Sequence, residues 1–141
     1  MAAPVPPTSR STEAETALVD LVDTFDRAYE AAAASQSLSV AQACVLGRLS
    51  TTRGMGALAQ EIGCDASNVT QIVARMEQRG LVTRQPDPAD GRGRVLARTP
   101  AGDALNARFE EAFEFARRAV GRLSPGEQEQ LTSLLRKVLA D

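Results

Sequence analysis

Arg92 lies between two glycines in the stretch "DPADGRGRVLARTPAG", residues 87–102. A guanidinium carried on a slim, flexible turn suits contact with an anion, and an arginine so placed can enter a DNA minor groove and read its width and negative potential. Some twenty residues earlier, Ser67, Asn68, Thr70, Gln71 and Arg75 fall on the outward positions of a short amphipathic segment. Asn and Gln can pair with the N6 and N7 edge of adenine, Ser and Thr suit phosphates, and the start of a helix itself attracts a phosphate. A solvated helix face and a solvated turn are the plain alternatives for these two segments. Asp87 and Asp90 run against a purely electrostatic finger, because acids near phosphates are unfavourable. Paired with Arg84 or Arg94 they would instead stiffen the loop. The expected contacts are therefore Ser67, Asn68, Thr70, Gln71, Arg75, Arg92 and Arg94, with Arg84, Asp87 and Asp90 as wing support.

Other chemistries are poorly served. The chain has no histidine, which removes the usual general base near neutral pH and the commonest metal ligand. Cys44 and Cys64 form no CxxC pair and no disulfide framework, so both are expected to be structural. No catalytic residue, metal site or cofactor is expected. The net charge is −2, yet residues 53–98 hold seven arginines against five acids, so the centre is basic and the two ends are acidic. No apolar run reaches the roughly 18 residues of a membrane span. The start, "MAAPVPPTSR", has prolines where a signal peptide needs an apolar core. Residues 1–11 are read as a disordered tail, and the setting as cytoplasmic and reducing.

The elements that must position these side chains follow from caps and periodicity. Thr12 with Glu15, Ser39 with Gln42, and Ser124 with Glu127 read as capping boxes. The first opens a helix through Leu18, Leu21, Val22, Phe25 and Tyr29, to about Ala34. The second opens a short helix ending near Ser50, followed by "TTRG" as a turn. Leu58, Ala59 and Ile62 mark a two-turn helix that Gly63 ends; Asp65 caps the next, whose inner face is Val69, Ile72, Val73 and Met76. Two helices joined by a tight turn outline a helix-turn-helix. Residues 81–84 and 95–97 read as strands of a hairpin, with the loop 86–94 between them and glycines supplying positive φ at its tip. Thr99 and Pro100 read as N-cap and N1 of one long helix running to Leu123 along Leu105, Phe109 and Phe113. Phe115 is offset from that stripe and expected to face a pocket or a partner. The fold class is mainly α with a small β-hairpin wing, an α+β winged helix-turn-helix.

Taken together, the Leu-Ala at 58–59, "RMEQRGLVTR" at 75–84, Asp90 with Arg92, and "TPAG" at 99–102 resemble, in register, the winged helix-turn-helix of MarR-family bacterial transcription regulators. The resemblance covers about residues 12–140. It implies that Ser67, Asn68, Thr70, Gln71 and Arg75 lie on the groove-reading helix and Arg92 on the minor-groove wing. It implies a homodimer through the terminal helices, acting on a pseudo-palindromic double-stranded DNA operator as a repressor released by a small, often phenolic or anionic, effector. The organisation is then a dimerisation helix at 12–38, a DNA-binding region at 39–99 and C-terminal dimerisation helices at 100–141. Arg27 and Arg48 are candidate carboxylate partners for such an effector, with surface ion pairs as the plainer reading. Two departures stand out. Arg98 occupies a position where the family pattern usually has leucine, and Gly54 and Gly56 stand where a Ser or Thr cap is common. A winged-helix protein-interaction module is the alternative function.

Overall fold

A computed structural model describes residues 12–63 and 65–140. The element order is α1 (Glu13–Ser35), α2 (Val40–Arg48), α3 (Met55–Ile62), α4 (Ala66–Gln78), β1 (Val82–Pro86), β2 (Arg94–Arg98), α5 (Pro100–Ala112), α6 (Phe115–Gly121) and α7 (Pro125–Leu139). The mainly helical fold with a two-stranded hairpin is the one the sequence patterning predicts. The expected tail at 1–11, and Cys64, lie outside the described residues.

Local caps set most of the boundaries. The Thr12 backbone N–H donates to Glu15 Oε2 at 2.6 Å, and the Glu15 N–H to Thr12 Oγ1 at 3.2 Å. Reciprocal boxes of the same kind open α2 at Ser39 and α7 at Ser124. Each satisfies two of the donors that a helix start otherwise leaves unmade, and its removal costs about 1 kcal/mol. Gly54 opens α3 with no side-chain cap, as its lack of a side chain requires.

The chain divides into two compact units. Tyr29–Ala112 forms one of them. Its core is aliphatic: Val45 and Leu46 of α2, Leu58 of α3, and Val69, Val73 and Met76 of α4 are fully buried. Each such side chain contributes roughly 1.5–3 kcal/mol by leaving water. Val82, Leu96 and Val95 are the buried side chains of the two hairpin strands, and Leu105 and Phe109 bury one face of α5. The strands pair antiparallel from Val82 opposite Arg98 to Pro86 opposite Arg94. They are longer than the sequence reading drew them, so the loop shortens to residues 87–93. "TTRG" is also more than a turn: Arg53 exchanges both backbone hydrogen bonds with Leu96, at 3.1 and 2.7 Å, and adds a one-residue bridge beside β2.

In the second unit, the early part of α1 belongs with the chain from Phe113 onward. Here the expected single helix from 100 to 123 is corrected: it is interrupted at Phe113 and Glu114. No glycine or proline marks the break. Its physical reason is aromatic. Residues two apart on a helix project about 200° from each other, so one uninterrupted helix cannot lay Phe113 and Phe115 on the same ring. With the break, both meet Phe25 edge-on, at centroid distances of 5.2 and 5.8 Å and interplanar angles of 88° and 89°. Each such pair contributes about 0.5–1.5 kcal/mol beyond burial. Phe115 therefore packs on Phe25, which answers the earlier expectation of a pocket or partner.

Candidate nucleic-acid interface

The polar face of α4 is the first half of the site. Gly63 closes α3 in the left-handed conformation, with φ 67°, a backbone setting that glycine tolerates at no steric cost. Two residues on, Asp65 caps α4, accepting the Asn68 backbone N–H and the Ser67 hydroxyl, each at 3.3 Å. A carboxylate at a helix start also complements the helix dipole. Val69, Val73 and Met76 turn into the core, so Ser67, Asn68, Thr70, Gln71 and Arg75 are left exposed. Gln71 and Arg75, one helical turn apart, share a face. The exit is equally fixed. Gly80, with φ 72°, lets the Leu81 N–H return to the Met76 carbonyl at 3.0 Å and its own N–H to that of Glu77 at 2.9 Å. Beyond that turn, Arg84 Nε of β1 donates to Glu77 Oε1 of α4 at 3.1 Å.

The wing is the second half. Arg92 stands exposed in the turn at its tip, and Arg94 is exposed at the start of β2. The aspartates brace the loop, but by a different route from the one expected. Asp87 Oδ1 accepts the Ala89 N–H at 2.9 Å, and Asp90 Oδ1 accepts the Arg92 N–H at 3.2 Å. Two backbone bonds, Asp87 N–H to Gly93 O and Gly93 N–H to Asp90 O, both 2.9 Å, complete the loop. Among the described residues neither aspartate pairs with Arg84 or Arg94; Arg84 is committed to Glu77. A short carboxylate reaches its own backbone two residues on with less loss of side-chain freedom than a cross-strand arginine pair requires. The tip glycines are corrected too. Gly91 and Gly93 do not adopt positive φ, and a Cβ at Gly93 would meet only ordinary contact, 3.4 Å from that of Asp87.

Sequence reasoning missed the residues that hold these halves in place. Arg53 Nε donates to Glu61 Oε1 at 2.9 Å, and its Nη1 also reaches Thr51 Oγ1. Arg79, the C-cap of α4, donates to the Ser37 carbonyl at 3.1 Å. Their partners are distant in sequence or lie in loops, so no spacing pattern announces them. Of the two candidate effector arginines, Arg27 is paired with Asp23 one turn earlier. Arg48 lies near the Tyr29–Cys44 pair, where burial first, and the hydrogen bond with Cys44 next, push the Tyr29 phenol well above its ordinary range, against a smaller opposing pull from Arg48. Among the described residues no cluster of His, Cys, Asp and Glu could hold a metal ion.

A sequence profile of the MarR family matches residues 36–93, the span from the α1–α2 connection to the wing tip. Over that span the chain resembles the MarR family. The similarity extends to transcriptional regulator HosA of Escherichia coli O111:H-, 37% identical over 84 residues, covering 52% of this chain and 55% of HosA. NicR of Pseudomonas putida, an HTH-type transcriptional repressor, is 34% identical over 76 residues, covering 53% of this chain and 48% of NicR. The chain thus spans about half the length of the curated relatives it matches. Among solved structures, wild-type apo MarR from E. coli superposes with a TM-score of 0.74 at 22% identity, over 93% of this chain and all of that one. A mutant E. coli MarR complexed with operator DNA gives 0.68 at 23% identity, over 89% of this chain and 92% of that one. At such identities these likenesses establish the MarR fold. No helix among the described residues is long and apolar enough to cross a membrane.

Proposed function

We propose that this chain is a MarR-family, sequence-specific regulator of transcription that binds double-stranded DNA as a homodimer and acts as a repressor. One observation carries the reading: a capped helix exposes Ser67, Asn68, Thr70, Gln71 and Arg75 in the same compact unit as a braced hairpin that exposes Arg92 at its tip. In this reading α4 enters a major groove, where Asn68 and Gln71 read base edges, Ser67 and Thr70 hold phosphates and Arg75 anchors the far end. Arg92 enters the neighbouring minor groove and Arg94 meets its backbone. The operator-bound MarR neighbour supports the choice of ligand.

The dimer clause rests on apolar surface. Leu18, Leu21, Val22 and Phe25 of α1 are 39–44% exposed, and Leu134, Val138 and Leu139 of α7 are 61–80% exposed. Side chains of this size at such exposure favour burial against a second copy. A two-fold dimer would double the base contacts on a pseudo-palindrome with half-sites about 10 base pairs apart. Release by a small phenolic or anionic effector is what the resemblance to the MarR family implies, and it belongs to the same proposal.

The test is fluorescence anisotropy on the DNA upstream of the chain's own gene. Arg92→Ala is expected to weaken binding and relax preference outside the major-groove contacts. Gln71→Ala is expected to cost about 1–3 kcal/mol at particular base pairs only. Affinity should fall steeply with salt as counterions are released. Retention of full affinity by both variants would defeat the reading and leave the protein-interaction alternative standing.

A further inference from the structure

Arg98 ends β2, opposite Val82, at the root of the wing. Its guanidinium turns inward, and the side chain is only 16% exposed. Nη1 donates to the Leu46 carbonyl in the last turn of α2 at 3.1 Å. Nε lies 2.9 Å from Asp103 Oδ1 of α5, off the axis a hydrogen bond needs, so that contact is ionic. A cation at the end of α2 also complements its dipole. The next residue extends the junction: Thr99 donates its N–H to the Leu81 carbonyl at 3.1 Å and its hydroxyl to that of Gly80 at 2.6 Å, and caps α5 by accepting the Gly102 N–H at 3.0 Å. One guanidinium thereby touches α2 and α5 from the strand that leads back from the wing tip.

We propose that Arg98 is a positioning residue that fixes the angle of the wing, and with it Arg92, against the rest of the unit. The clause about DNA rests on the reading above. A two-stranded hairpin is marginal by itself, and the strands of this one bury only three side chains: Val82 at the root, Leu96 at the middle pair and Val95 one pair from the loop end. Arg92 lies six positions before Arg98, a lever of at most about 20 Å at roughly 3.3 Å per residue. A tilt of about 10° at the root would carry the tip some 3–4 Å, more than the tolerance of a hydrogen bond. The bridge at Arg53 and the Thr99 bonds tie the strand through its backbone. Arg98 adds a side-chain strut to the end of α2.

Arg98→Met separates this role from simple stability, because Met fills a similar volume and the carboxylate left behind, Asp103, is 62% exposed and stays solvated rather than becoming an unpaired buried charge. Two readouts decide. Amide residual dipolar couplings of the free protein report the order and orientation of the hairpin relative to α4. The expected result is reduced order and a changed mean orientation from Val82 to Arg98, with α4 unchanged. The second is a double-variant cycle on DNA. Arg92→Ala should cost about tenfold in affinity in the natural background and about twofold or less beside Arg98→Met, whereas the Gln71→Ala loss should be equal in both. Unchanged couplings overturn the proposal whether or not the protein binds DNA. A loosened wing with an undiminished Arg92→Ala loss overturns the link to Arg92. Failure of the natural protein to bind any DNA refutes the proposed function, and the couplings then still decide the strut. Asp103→Ala, at an exposed carboxylate, guards against misfolding of Arg98→Met: it should loosen the wing in the same direction by a smaller amount, and no effect on the couplings from both variants refutes the strut.

Discussion

A single methyl group added at Gly102 tests the junction between wing and α5. A Cβ built there falls 2.1 Å from the Leu81 carbonyl oxygen and 3.1 Å from its carbon. Ordinary carbon–oxygen contact begins near 3.3 Å, so the two backbones must separate by about 1 Å. Neither is a flexible side-chain end that can swing away. The retreat stretches the Thr99 N–H to Leu81 bond, now 3.1 Å, beyond useful range, at about 0.5–1.5 kcal/mol. Overpacking adds about 1–3 kcal/mol, and the better helix propensity of alanine returns up to about 1 kcal/mol. The expected net loss for Gly102→Ala is about 2–3 kcal/mol. Gly47→Ala is the control. It lies inside α2, nothing stands within 4 Å of its built Cβ, and its φ is not positive, so it should stabilise by about 0.5–1 kcal/mol. Urea unfolding followed by circular dichroism gives both values, and at a slope of about 1–3 kcal/mol per molar the midpoints should move in opposite directions. A Gly102→Ala protein within about 0.5 kcal/mol of the parent would refute the close-approach argument.

Three further outcomes are expected. The one tyrosine of the chain, Tyr29, should resist ionisation, because burial and then the Cys44 contact raise its phenol; ultraviolet titration should show the native protein ionising well above free tyrosine, less so in Cys44→Ala. Since the folded value is the raised one, the associated stability is complete below the unfolded value of about 10 and is lost as pH rises toward the folded value. Ser124→Ala should cost about 1 kcal/mol in unfolding experiments, and by nuclear magnetic resonance should move the Glu127 carboxyl, held low by the Ser124 backbone and then its hydroxyl, only part of the way up toward other glutamates, because alanine keeps the backbone N–H. Asp87→Ala removes the acceptor of the Ala89 N–H, so amides at 87–93 should exchange faster with solvent while those of α4 do not.

What could be read from the sequence was local. Thr12, Ser39, Asp65 and Ser124 reach partners three residues on, and Gly63 and Gly80 end helices where left-handed backbone is needed, so spacing alone revealed them. The outward face of α4 followed from the burial period of Val69, Val73 and Met76. What spacing did not reveal has a different origin. The break at Phe113 depends on a ring in α1, the partner of Arg98 lies 52 residues away in α2, and the reason for a glycine at 102 is a carbonyl at 81. In the wing, the residue types were legible as a brace but the bonding was not, since carboxylates can serve either a neighbouring arginine or their own backbone.

That self-contained wing has a thermodynamic consequence. Ordering one backbone residue costs about 1–2 kcal/mol of conformational entropy, so a floppy seven-residue loop would lose several kcal/mol of affinity on becoming fixed against a partner. Here Asp87 and Asp90 hold residues 87–93 through four hydrogen bonds internal to the loop. The ordering entropy is lost when the chain folds. Association of the tip with any partner should then show calorimetric signatures of rigid docking, with a heat-capacity change that tracks buried surface alone.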